Sequence, residues 1–151
     1  TFLLFAGLGS RVAERFQAAG QARWVVRWAV GMIAGLALFY IVALPPVFQH
    51  LMGLADGVKI GLAALLIAPL AFAMGMPFPL GLAGVAAWTP TLTPWAWAVN
   101  GFASVVAAVL ATVLAIHSGF TTVVILAIAL YLTAALCVPG EYNAGRDQPP
   151  A

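Results

Sequence analysis

Charge is the scarcest property of this sequence. Only 7% of its 151 residues are charged, whereas an average soluble domain contains about 25%. No charged residue occurs from Ile60 to Gly140, a run of 81 positions. A water-facing surface cannot be built from so few charges. The composition therefore excludes an ordinary soluble domain and predicts a chain whose solvent is largely lipid.

Other absences narrow the function further. The single cysteine, Cys137, cannot form an intrachain disulfide, and we interpret it as a small apolar side chain. With a net charge of only +2, no nucleic-acid partner is expected. The sequence has neither a glycine-rich nucleotide loop nor a group of His, Cys, Asp or Glu at metal-ligand spacing. No catalytic residue, cofactor or metal site is therefore predicted.

Apolar segments are abundant. Hydrophobic residues make up 64% of the chain, and the mean hydropathy is +1.08. Because a transmembrane helix needs about 20 apolar residues, the sequence predicts an all-α, polytopic transmembrane helix bundle with about four full spans plus a truncated N-terminal span. We expect residues 1–8 to end the truncated span and residues 9–138 to form the transmembrane domain, with spans at 24–44, 58–76, 94–117 and 121–138, followed by a polar tail at 139–151.

Helix-breaking residues set these boundaries. Pro45 and Pro46 are expected to end the first span, and the prolines of Pro77-Phe78-Pro79 to end the second. Residues 80–93 contain too many breakers for another full span and are interpreted as a connection at or within the membrane surface. Thr93 is a suitable N-cap for the third span, and residues 117–120 (HSGF) predict a tight turn.

Orientation follows from the basic residues. Four of the six lie in the segment 9–27, which we expect to be a cytoplasmic loop. Four spans then place the tail in the cytoplasm as well, and the composition suggests a bacterial inner membrane. Lys59 falls on the outside, where we expect it to form a local ion pair with Asp56.

Small residues in the third span form regular rows. Ala103, Ala107, Ala111 and Ala115 repeat every fourth residue, with Ser104, Ala108 and Thr112 in a neighbouring row. Small side chains offer no advantage in contact with lipid, whereas a second helix can approach them closely. The rows predict a packing face. Gly31 and Gly35 form a G-x-x-x-G pair, which is a weaker indication in so glycine-rich a chain.

Polar or helix-breaking residues inside the spans are the candidate site. An amide at membrane depth needs a partner, and Asn100 could satisfy this either through an interhelical hydrogen bond or by lining a solute cavity. We expect Ser104 and Thr112 to bond back to helix carbonyls. Broken helices also line binding sites in transporters. The candidate cavity or packing residues are Asn100, Gly101, Ser104, Thr112, Pro77, Pro79 and Gly81.

Two stretches carry a resemblance to a known family: FAMGMPFPLGL at 72–82 and PWAWAVNGFAS at 94–104. Together they resemble the C-terminal membrane region of bacterial spermidine-synthase-like membrane proteins, in which a transporter-like membrane domain is fused to a polyamine aminopropyltransferase-like domain. The resemblance covers roughly residues 57–136. It implies no catalytic residue here, because the aminopropyltransferase part is not in this chain.

Three functions are compatible with these features. The first is a membrane domain, a fragment of a spermidine-synthase-like protein, that anchors and assembles it and takes part in passage of a polyamine-related solute. The second is part of a major-facilitator-type secondary transporter. The third is a non-catalytic membrane assembly module. The expected partners are the lipid bilayer, a missing N-terminal part of the same protein and, for the first function, a small cationic solute.

Overall fold

The described residues of this protein are helical almost throughout and contain no β-strand. The computed structural model describes residues 1–18, 21–51, 53 and 55–137. The all-α prediction is confirmed. The elements are α1 (Phe2–Ala18), α2 (Ala22–Leu51), α3 (Asp56–Met74), α4 (Pro77–Trp88), a 3-10 turn (Pro90–Leu92), α5 (Thr93–Ser118) and α6 (Phe120–Cys137).

Within the described residues, four helical segments are long and apolar enough to cross a membrane. This confirms the predicted number of spans and makes the chain an integral membrane protein by length and composition. The first three extend beyond the predicted bounds at both ends, and in the first two the helix continues past expected breakers. The tail at 139–151 lies outside the described residues. The four segments are Ala22–Val47, Asp56–Trp88, Pro90–Ser118 and Phe120–Cys137.

The segment predicted to be a polar loop after residue 8 is instead part of a helix. Helix α1 runs without interruption from Phe2 to Ala18 and includes Arg11, Glu14 and Arg15. Arginine, glutamate and alanine are good helix formers, so polarity alone does not end a helix. The expected end of a span at residues 1–8 and the charged residues after it therefore belong to one continuous element.

The prediction that Pro45 and Pro46 end the first span is also wrong. Helix α2 contains both prolines and continues to Leu51. Each proline removes one backbone donor, so the carbonyls of Ile41 and Val42 lose their usual partners. In a transmembrane helix, water or neighbouring groups can satisfy such carbonyls.

The two prolines after Met76 begin a helix, whereas the sequence predicted a firm end. Helix α3 stops at Met74, and α4 starts at Pro77, where a missing N–H costs nothing because first-turn donors have no helical acceptor. Gly75 and Met76 keep right-handed helical angles. The break is therefore short, and residues 80–88, expected to be a connection, form most of a helix.

Helices α5 and α6 form a hairpin with a tight turn, as predicted. Gly119 has φ +84°, a conformation that L side chains rarely adopt, and its N–H bonds to the carbonyl of Ala115 at 3.1 Å. The expected cap at the start of α5 is wrong by one residue. Leu92 occupies the N-cap position without a side-chain hydrogen bond, and Thr93 is the first helical residue.

The packed core lies where α1, α2, α4 and α6 meet. Small and branched side chains of α2 dominate it, and Val30 is the largest fully buried one. Farther along α2, the Tyr40 hydroxyl donates a 2.5 Å hydrogen bond to the Leu66 carbonyl of α3. The buried cluster consists of Ala13, Val25, Val26, Ala29, Val30, Met76, Leu80 and Ala135.

Candidate contact face on helix α5

Helix α5 is long and apolar, but its middle has little contact with the rest of the bundle. All ten residues from Gly101 to Leu110 are exposed, and no residue of α5 is buried. Its main contacts are with α4, the 3-10 turn and α6. This helix therefore offers most of its surface to whatever surrounds the bundle.

Three candidate polar residues lie along one row of α5. They are Asn100, Ser104 and Thr112. Because they are four and eight residues apart, they lie on neighbouring parts of one helical surface. The Ser104 hydroxyl donates to the Asn100 carbonyl at 2.7 Å, and the Thr112 hydroxyl donates to the Ala108 carbonyl at 2.9 Å. The prediction that both hydroxyls bond back to the helix is confirmed.

The Asn100 amide differs from these hydroxyls. It is partly buried, and its side chain makes no hydrogen bond with any residue that the structure describes. A primary amide carries two donor hydrogens and an acceptor oxygen, and lipid tails can satisfy none of them. On this row of α5, Asn100 is thus the polar group that calls for a partner from outside the described bundle.

Gly101 is exposed on α5, and the three other candidates lie on a different helix. Pro77, Pro79 and Gly81 belong to the first turns of α4 and are partly buried. The ring of Phe78, between the two prolines, meets that of Trp97 on α5 edge-on, with centroids 5.1 Å apart. This contact holds the start of α4 beside the first turns of α5, whereas Thr112 lies almost four turns farther along.

The predicted alanine rows are covered only near the α5–α6 turn. Ala111 and Ala115 are partly buried, whereas Ala103 and Ala107 are exposed, as is Ala108 in the neighbouring row. We define the small-residue face of α5 by its exposed small side chains. They are Ala103, Ser104, Ala107, Ala108 and Thr112.

The closest helix approach occurs at glycines that the sequence did not single out. A Cβ built on Gly9 of α1 would overlap the carbonyl oxygen of Phe72, and one built on Gly75 would overlap that of Ala6. These two positions let α1 and α3 touch backbone to backbone. Gly31 and Gly35 of the predicted G-x-x-x-G pair have no atom within 4 Å of such a Cβ. Spacing could not distinguish the two cases, because Gly9 lies within α1 and Gly75 follows the end of α3, far away in the sequence.

The charged groups near the start of α3 behave as expected. Lys59 Nζ lies 3.3 Å from Asp56 Oδ1 and donates a hydrogen bond to it, so the predicted local ion pair is confirmed. The Asp56 side chain is 93% exposed, which limits the strength of the pair because water screens it. Among the described residues, no group of three His, Cys, Asp or Glu side chains could hold a metal ion.

Comparison with known proteins gives no family for this chain. No protein-family model matches it, and no curated protein or solved structure matches it either.

Proposed function

We propose that this chain is the membrane-anchoring and assembly domain of a larger membrane protein or complex, in which the small-residue face of α5 contacts a further transmembrane helix. The observation that carries the proposal is that every residue of Gly101–Leu110 is exposed. Small side chains let a second backbone approach closely, which increases dispersion contacts that lipid cannot match as well. The Asn100 amide, which has no hydrogen-bond partner among the described residues, supports the same interpretation, since a neighbouring helix can supply its hydrogen bond.

The larger protein is proposed to be spermidine-synthase-like. This part of the proposal depends on the stretches 72–82 and 94–104, which lie side by side in the fold through the contact between Phe78 and Trp97. In the orientation we propose, the segment 9–27 and the C-terminal tail face the cytoplasm of a bacterial cell. A native gene product several times heavier than 15.7 kDa, with aminopropyl-transfer activity, would support this parent protein.

A bulky substitution on α5 tests the assembly role. In the native gene product purified in mild detergent, Ala107→Leu should release the partner helix and lower the mass of the complex, because leucine prevents close approach. Ala127→Leu on α6 is the matched control, since Ala127 is also exposed. A complex whose mass is unchanged by Ala107→Leu, or equally reduced by Ala127→Leu, would contradict the proposed face.

Passage of a small cationic solute is a second candidate, and Asn100 favours it because an unpaired amide can also line a polar path. Asn100→Ala separates the two roles. If the amide bonds a partner helix, the variant should weaken assembly by about 0.6 kcal/mol, roughly threefold. If the amide contacts solute, polyamine uptake into proteoliposomes should fall while the mass of the complex stays the same.

A further inference from the structure

Three helix ends and two helix starts meet at one end of the bundle. Ala135, near the end of α6, belongs to the same buried cluster as Val25 and Val26 in the first turns of α2. Because α5 runs back along α6 after the turn at Gly119, α5 also starts at this end. Helix α4 precedes α5 through the short 3-10 turn and finishes here, and α1 ends just before α2. We call this the Arg/Trp end of the bundle.

Every tryptophan of the chain lies at the Arg/Trp end. All five side chains are 57–68% exposed, and the rings of Trp24 and Trp28 lie 5.5 Å apart on one outward face of α2. Tryptophan favours the membrane–water boundary, where its ring meets the acyl chains and its N–H meets polar groups. The five rings therefore mark headgroup depth. They are Trp24, Trp28, Trp88, Trp95 and Trp97.

Four exposed arginines accompany these rings. Arg11 and Arg15 are one turn apart near the end of α1, and Arg23 and Arg27 are one turn apart at the start of α2. The two pairs are held close because the Gln21 N–H bonds to the Phe16 carbonyl at 3.1 Å across the connection.

None of the four guanidinium groups has a hydrogen bond or ion pair with a residue that the structure describes. Lys59, in the first turn of α3, is instead paired with Asp56. Since that pair cancels, the described residues keep a charge of +3, from the four arginines (+4) and Glu14 of α1 (−1). The outward face of α1 also changes from apolar to basic along its length, with Leu4 and Leu8 followed by Arg11 and Arg15. That change places the arginines at the same depth as the rings.

We propose that the Arg/Trp end binds the phosphate groups of anionic phospholipid headgroups. A guanidinium group donates two parallel hydrogen bonds to phosphate oxygens, and basic side chains at a membrane surface gain about fivefold in affinity for anionic lipid per residue. The rings of Trp24 and Trp28 hold Arg23 and Arg27 at the depth where these phosphates lie. This site requires insertion in a bilayer but does not depend on the contact face of α5.

Tryptophan fluorescence can report this binding directly, because all five fluorophores lie at the proposed site. The chain is reconstituted in vesicles of phosphatidylcholine mixed with brominated phosphatidylglycerol, and separately with brominated phosphatidylcholine at the same fraction. The proposal predicts stronger quenching by the brominated anionic lipid, and a preference that falls as salt screens the charges. Equal quenching by the two brominated lipids would overturn it.

Charge variants assign the preference to the arginines. Arg23→Gln/Arg27→Gln and Arg11→Gln/Arg15→Gln should each lower the preference for phosphatidylglycerol about fivefold or more, whereas the corresponding lysine variants should retain most of it. Lys59→Gln is the matched control for loss of one positive charge and should have no effect. Helicity measured by circular dichroism verifies folding of each pair. An unchanged preference in both folded glutamine pairs, or an equal loss in Lys59→Gln, would refute the site.

Discussion

Helices α3 and α5 are both long, apolar and rich in alanine, but they differ in how much of their surface other helices cover. In α3, Ala68, Ala71 and Ala73 are buried. In α5 no residue is buried, although its alanines repeat more regularly. The difference arises because α1 and α2 both pack on α3, whereas α5 contacts mainly the adjoining elements α4 and α6.

This comparison separates the stability of a helix in lipid from its packing against other helices, two properties that hydropathy does not distinguish. An apolar helix is stable in lipid whether or not another helix covers it, since acyl chains and leucine side chains are equally apolar. Packing depends instead on whether a neighbouring backbone can come close, as α1 does at Gly9 and Gly75. Small residues are therefore necessary for close contact, but they do not show which surface the chain itself covers.

The same substitution in the two helices should have the largest and most different effects. Ala71→Leu overpacks a completely buried position and should lower the free energy of unfolding by about 3 kcal/mol. Ala107→Leu should leave unfolding of this chain nearly unchanged because its position is open. Unfolding by a denaturing detergent, followed by circular dichroism, compares the variants. Equal losses would contradict the difference in packing.

A methyl group at a close crossing should cost somewhat less. In Gly75→Ala, the new Cβ would overlap the Ala6 carbonyl, so the backbones of α1 and α3 must separate, at a cost of about 2 kcal/mol. Gly61→Ala, within α3, meets open space and serves as the control. Thermal unfolding in detergent measures both. If Gly61→Ala were as destabilising as Gly75→Ala, the crossing would not be the cause.

Loss of the hydrogen bond between α2 and α3 should have a smaller effect. Tyr40→Phe removes the donor to the Leu66 carbonyl and should lower the free energy of unfolding by about 1 kcal/mol. Tyr131→Phe on α6 is the control, because the Tyr131 hydroxyl has no hydrogen bond with a described residue. The same unfolding measurement applies, and an equal loss in the control would argue against a contribution from the bond.

The ion pair at the start of α3 should contribute least. Asp56→Asn removes the partner of Lys59, but water screens both side chains, so the expected loss is below about 0.5 kcal/mol. Raising the salt concentration should reduce the difference between the variant and the original chain still further. A loss above 1 kcal/mol would indicate that the carboxylate has another role.

The sequence predicted the class of fold well, because hydropathy and charge report directly on the solvent that a helix prefers. It also predicted the turn at Gly119, the local ion pair and the hydroxyl bonds of Ser104 and Thr112, all of which depend on residues close in sequence. The helix end at Pro45 and Pro46 was predicted wrongly, and so was the end of the second span at Pro77, where a further helix begins. Proline removes a donor, but whether a helix stops there depends on what satisfies the freed carbonyl.

The candidate site was predicted less completely. The polar residues of α5 were identified because they stand out in an apolar sequence. Their exposure could not be anticipated, since the alanine rows of α5 and the alanines of α3 have similar composition. The crossing at Gly9 and Gly75 involves residues 66 positions apart, and no local pattern connects them. A single sequence does not show which residues, distant in the chain, become neighbours in the fold.

Photochemical cross-linking from the exposed face of α5 tests the central claim most directly. A photoreactive leucine analogue at Leu110, which is 54% exposed, nearly preserves the side chain and captures whatever lies beside it in native membranes. The same analogue at Leu130 of α6, 62% exposed, is the control. We predict a covalent adduct to a protein segment at position 110 and adducts to lipid at position 130. Only lipid adducts at position 110 would contradict the claim that α5 assembles with a further helix.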